Sequence, residues 1–254
     1  MNASRRTAVA VEVRKARSSR VLWATGLLLA LGTTLLATVT IRAARSGSVE
    51  IAAKLGPHAL AGDWPALLAI STQVTGAASV LAFGVGISWL YGREFADGTV
   101  SGLFGLPVSK GSIATAKLAV YLVWAALVSA LLVLLVLGAG LALGLGFPHL
   151  QSAVGLGRLL ALGLLSALLA VPAGWAASIG RGLLPGIAVS VGILVVAQVG
   201  ALAHAGGWLP FVTPALWAIE PNPSSALALL GVPVVPLLFG TAVVLAWRRI
   251  QLDR

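Results

Sequence analysis

Cysteine is absent from this chain, methionine occurs once, and Asp and Glu together number only 7 among 254 residues. Without cysteine there are no disulfides and no thiolate metal sites, and the compartment is left open. Charged residues of both signs make up 9% of the chain, far below the roughly 25% usual in soluble domains, and this excludes a water-soluble globule. No Gly-x-x-x-x-Gly-Lys-Ser/Thr run occurs, so the chain has no phosphate loop with which to bind and hydrolyse ATP. There is no His-Glu-x-x-His, no Gly-x-Ser-x-Gly with a partner base and no pair of acids. His58, His149 and His204 stand in or beside expected outer loops without such neighbours. The chain therefore reads as non-catalytic and as binding no cofactor of its own.

What fills the sequence instead is apolar. Hydrophobic residues make up 59% and the mean hydropathy is +1.01. They come in blocks of 20 or more, and at about 1.5 Å per residue such a block crosses a hydrocarbon core of roughly 30 Å. Charged and Gly/Pro boundaries mark six spans, near Val21–Ile41, Pro65–Tyr91, Leu118–Gly144, Val154–Ile179, Leu183–Ala203 and Ala226–Trp247. The fold class expected is all-α, a polytopic membrane protein forming a single transmembrane domain over 1–254. Gly180-Arg181-Gly182 is so short a turn that the fourth and fifth spans also fit one re-entrant feature. The first span is longer than the roughly 7 to 15 residues of a signal-peptide core, and Arg42-Ala43-Ala44-Arg45 is a poor cleavage site, so it reads as uncleaved.

The net charge of +10 does not indicate nucleic acid, because the 17 Lys and Arg cap the apolar blocks rather than gather on one face. With a cytoplasmic N-terminus, thirteen lie inside: Arg5, Arg6, Arg14, Lys15, Arg17, Arg20, Arg93, Lys110, Lys117, Arg181, Arg248, Arg249 and Arg254. Four lie outside: Arg42, Arg45, Lys54 and Arg158. That bias predicts both termini inside and longer outer loops at 42–64 and 204–225, with Ser48 a convenient label for the outer side. Residues 1–20 read as a cytoplasmic interfacial segment. Val9, Val13 and Ala16 fit a helix along the inner leaflet, with Glu12, Lys15 and Arg17 elsewhere, and Val9, Val11 and Val13 fit a strand equally well.

The most punctuated stretch is the cytoplasmic loop 92–117, between the second and third spans. It carries Arg93-Glu94, Asp97-Gly98-Thr99, Leu103-Phe104, Leu106-Pro107-Val108-Ser109-Lys110 and finally Lys117. Asp97 suits an N-cap, Val100, Leu103 and Phe104 share a face at i, i+3 and i+4, and Pro107 stops the short helix. The resulting apolar stripe suits the bilayer, the protein's own helices or a groove on a partner.

That run looks like the signature of type-2 ABC exporter permeases, most nearly the bacitracin-resistance-type and multidrug branch. The acid at the end of the second span, the Gly-Thr, the Pro-Val-Ser-basic run and the Lys opening the third span occur in the same order. Trp208-Leu209-Pro210-Phe211-Val212-Thr213-Pro214-Ala215 resembles the family's outer segment. The resemblance implies a coupling helix seated in a separate ATPase, with Glu94, Asp97, Gly98, Thr99, Leu103, Phe104, Pro107, Lys110 and Lys117 as coupling residues. It further implies ATP and Mg bound by that partner, a second permease copy or paralogue, and the bacterial cytoplasmic membrane as location.

Polar residues at depth are few: Ser71, Thr72, Gln73, Thr75 and Ser79 in the second span and Gln198 in the fifth. An unpartnered amide in hydrocarbon costs several kcal/mol, so Gln73 and Gln198 are expected to face protein, cavity or cargo, and Gln73, Thr72, Ser79 and Gln198 are candidates for a substrate path. No acid lies at mid-depth, which speaks against the buried proton relay of an ion-driven carrier, the alternative function. Charge-poor spans suit a hydrophobic or amphipathic cargo such as a drug or peptide antibiotic. Gly140 and Gly144 form a Gly-x-x-x-Gly suited to a close helix contact or a dimer face.

Overall fold

The computed structural model describes residues 3–46, 62–105, 107–203 and 209–251, with the side chains of 3–5 and 104 outside the described set. Every regular element among the described residues is helical. In chain order these are α1 (Ala3–Arg17), α2 (Arg20–Arg45), α3 (Trp64–Ala96), a 3-10 turn (Thr99–Gly105), α4 (Lys110–Ala142), α5 (Leu150–Leu169) and α6 (Val171–Ile179). They continue with α7 (Leu183–Leu202), α8 (Thr213–Ile219), α9 (Pro223–Ala228), a second 3-10 turn (Leu229–Gly231) and α10 (Val234–Arg248). Six helical segments are long and apolar enough to cross a membrane, the fourth made of α5 and α6 and the sixth of α9 through α10. Ser48, His58, Lys54, Leu106, His204, Trp208 and Arg254 lie outside the described residues.

The helices overrun the expected spans. The second continues past Tyr91 to Ala96 and the third begins at Lys110 rather than Leu118, which carries Glu94 and Lys117 into helix. Local chemistry sets these ends. Asp63 accepts from the Ala66 backbone N–H at 3.1 Å with Pro65 in the first turn, and Ser109 caps α4 by accepting from Ser112 N–H. Gly98, at φ +66, turns the chain out of α3 as helix-ending glycines do.

Pro172 follows the break at Ala170 that divides the fourth span. Pro185, Pro233 and Pro236 stand at or near helix starts, where the missing N–H is harmless. The Gly180-Arg181-Gly182 turn joins two separate spans packed side by side, not one re-entrant feature.

Lipid is as apolar as leucine, so helices in it associate where small residues let backbones approach. Gly84 lies against Ser190, Gly186 against Ser88 and Gly163 against Ser129, joining the second span to the fifth and the third to the fourth. Gly140 receives the Trp64 ring, and Gly144, at φ +75, follows the end of α4. The Gly-x-x-x-Gly thus has an explanation within one chain. Large apolar side chains such as Leu28, Leu127 and Leu238 point outward, as a lipid-facing surface requires.

The N-terminal segment is a helix, which settles the choice against a strand. Val9, Val13 and Ala16 share a face and line an apolar groove of about 530 Å³ with α2 and α4, whereas Ala8 and Glu12 are buried. A partner for Glu12 decides this, as described next.

Candidate functional site

The largest buried side chains gather where α1, the end of α3 and the start of α4 meet. Trp247, Tyr91, Tyr121 and Lys117 are each exposed by less than 2%. Lys117 Nζ donates to Glu94 Oε1 at 2.6 Å, to Glu12 Oε2 at 3.0 Å and to the Leu90 carbonyl at 2.8 Å. Lys15 Nζ, on α1, donates to Glu12 Oε1 at 2.9 Å and to Glu94 Oε1 at 3.0 Å. Two carboxylates and two ammoniums therefore neutralise one another across three helices. This is the arrangement that makes buried charge tolerable, since each ion withdrawn from water costs several kcal/mol unless paired and hydrogen-bonded. Burial works to lower the Lys15 pKa, but the Glu94 and Glu12 carboxylates outweigh it and hold the ammonium above its ordinary value. Glu94 Oε2 is buried without a partner.

Aromatic residues close the cluster. Lys117 Nζ sits 5.4 Å from the Trp247 ring centre, and Tyr91 and Phe95 meet that ring edge-on at 5.8 and 6.1 Å. Trp247 Nε1 donates to Ser178 Oγ at 2.9 Å, and the Tyr91 hydroxyl donates to the Ala114 carbonyl at 2.7 Å. The ends of the second, third, fourth and sixth spans are tied together around the loop's base. Among the described residues no three His, Asp or Glu gather as a metal site requires. The cluster offers no nucleophile with a base; what it does is fix α1, α3 and α4 against one another.

The remaining loop residues sit as follows. Asp97 does not cap the short helix. It ends α3, pairing with Arg93 Nε at 3.2 Å, because that i,i+4 pair carries the helix on until Gly98 reverses the chain. Thr99–Gly105 winds as a 3-10 rather than an α-helix, so Val100 aligns with Leu103 at i, i+3. Leu103 packs half-buried on the protein's own core, whereas Thr99, Ser101, Gly102, Gly105 and Pro107 are exposed. The Phe104 side chain lies outside the described residues. Lys110 Nζ donates to the Ile250 carbonyl at 2.6 Å.

The four substrate-path candidates do not converge. Thr72 and Gln73 line a hollow of about 230 Å³ between α3, α5 and α8. Ser79 is fully buried in α3 with its hydroxyl unpartnered, as are Thr75 and, on α2, Thr33. Gln198 is exposed on α7.

Sequence reasoning missed Glu12 and Lys15 as members of the cluster. The signal was present: Glu12 is the only acid in the first twenty residues, and a lone carboxylate on a helix bound for an apolar interface needs a specific cation.

Six apolar spans, tied together at one end by a buried ion cluster, define a polytopic membrane protein. Residues 8–198 match the family described as ABC-2 family transporter protein, three quarters of the chain and all of the cluster but Trp247. The chain belongs to that family: it is a multi-pass ABC transporter permease, whose kind works in general with an ABC ATPase. No curated protein matches the chain.

Proposed function

We propose that this permease is the membrane half of an ATP-driven exporter, with both termini and the Thr99–Gly105 turn in the cytoplasm and that turn docked on a separate ATPase. The observation that carries the reading is the joint at the turn's base. The exposed turn follows directly on α3, whose last turns hold Glu94 in the buried ion cluster. A push on the turn is therefore transmitted to α1, α3 and α4 together.

In this reading Glu94 and Lys117 carry force, Asp97 and Gly98 set the turn's exit angle, Leu103 and Lys110 anchor it, and Thr99, Phe104 and Pro107 meet the partner. ATP and Mg bind in the ATPase. A second permease copy or paralogue completes the path, in a bacterial cytoplasmic membrane, for a hydrophobic or amphipathic cargo such as a drug or peptide antibiotic. Thirteen inner against four outer basic residues support the orientation.

Purification in mild detergent is expected to bring down an ATPase with a phosphate loop, and vesicles to show ATP-dependent, vanadate-sensitive transport that Phe104→Asp abolishes without loss of the chain from the membrane. Purification without any such ATPase, or transport driven by an ion gradient alone, would refute the reading.

A further inference from the structure

Arg158 is the odd charge of this molecule. It lies about 12 Å along α5 from the helix start at Leu150, at roughly 1.5 Å per residue, in the first third of the spanning segment Leu150–Ile179, toward the end assigned to the outer side. Arg158 is half-buried, and the buried cation Lys117 has two carboxylates. Among the described residues no carboxylate pairs with Arg158. A guanidinium carries five N–H donors and no acceptor, so without a carboxylate its partners must be water, neutral acceptors or an anion.

Its surroundings are built for the anion. Arg158 lines the hollow of about 230 Å³ with Gln73, Gln151, Thr72 and Ser152, drawn from two helices. Thr72 and Ser152 are buried, at 5% and 7% exposure. No acid lines the hollow, and the one charged group that does, Arg158, is positive. Leu68 and Ile219 add apolar wall beside these donors, as an amphiphile's tail requires.

We propose that this hollow binds the anionic head of an amphiphile, its phosphate or carboxylate held by the Arg158 guanidinium and the Gln73 and Gln151 amides. Arg suits such an oxyanion because its planar fork presents two parallel donors. The same chemistry serves an anionic lipid or an anionic cargo. The cargo role rests on the exporter reading above; the binding itself does not.

The test is native mass spectrometry of the full chain in a neutral maltoside detergent, titrated with dodecyl phosphate. One saturable adduct per chain is expected, weakened about ten- to hundredfold in Arg158→Gln, the range for a charged hydrogen-bond partner. Arg158→Lys should restore part of it, and Gln73→Leu should weaken it severalfold. Phosphatidylglycerol displacing the probe assigns the site to a lipid head, and failure to displace it assigns the site to cargo; both keep the anion site. Unchanged binding in Arg158→Gln, or equal displacement by dodecyltrimethylammonium, overturns the proposal. So does displacement by inorganic phosphate at the concentration of the probe, which would leave an ion site without a tail. No ATPase takes part, so failure here is distinct from failure to co-purify one.

Discussion

Replacing Lys117 with methionine removes the one ammonium that both buried acids share at full burial. Methionine matches the stem in length and leaves Glu94 and Glu12 with only Lys15, whose side chain is 29% exposed. An uncompensated buried charge costs about 3–5 kcal/mol. Lys15→Met, at a partly exposed pair that water screens, should cost about 1 kcal/mol. At roughly 2–4 °C per kcal/mol, Lys117→Met should lower the melting temperature on the order of 10 °C, read from tryptophan emission of the purified chain. Limited trypsin should also cut faster after Arg14 and Arg17, which are exposed on α1, as that helix loosens. Adding Glu94→Gln should cost less than the sum of the two single changes, because the charge left unpaired is itself removed. A Lys117→Met protein as stable as Lys15→Met, with α1 no more open to trypsin, would refute the reasoning that this cluster holds the three helices together.

Gly92 is a second handle: a Cβ there would stand 2.7 Å from the Gly182 carbonyl carbon and oxygen, so Gly92→Ala should cost about 1–3 kcal/mol as backbones are forced apart. Gly157→Ala, with nothing within 4 Å, serves as the control in the same melting experiment. Since the folded-state pKa of Lys15 is raised above 10.5, its contribution is complete below that pH and is lost as pH climbs through the folded value. The stability gap between the natural chain and Lys15→Met should stay level from pH 7 to about 10 and close only above it; a gap that closes near neutrality would contradict the assignment.

The spans were legible because hydropathy and length decide them, and the loop was legible because its Gly, Pro and charged residues stand out against apolar helix. Less legible was what depends on pairing at a distance. Glu94 and Lys117 stood out as members of one loop motif, but only the packing of α3 on α4 makes them a pair. Glu12 read as the polar face of an interfacial helix, because helical periodicity ranks residues by polarity and knows nothing of a cation waiting on another element. Asp97 looked like an N-cap since aspartate usually favours that place, and the i,i+4 contact with Arg93 overrode it. Gln73 and Arg158 come from different spans, so their shared hollow had no trace in either span alone. Ser79 and Gln198 were singled out by the same cost argument as Gln73, yet one is buried in α3 and the other faces outward.

The chain's lack of cysteine makes the decisive measurement clean. A single cysteine at the exposed Ser101 of the Thr99–Gly105 turn, compared with one at the exposed Ser224 of α9, reports which protein touches each end of the bundle. Cross-linking in native membranes from Ser101→Cys should yield an adduct with a phosphate-loop ATPase, and Ser224→Cys should yield none. An ATPase adduct from Ser224→Cys, or none from Ser101→Cys while the ATPase still co-purifies, would contradict the claim that this turn is where the permease is driven.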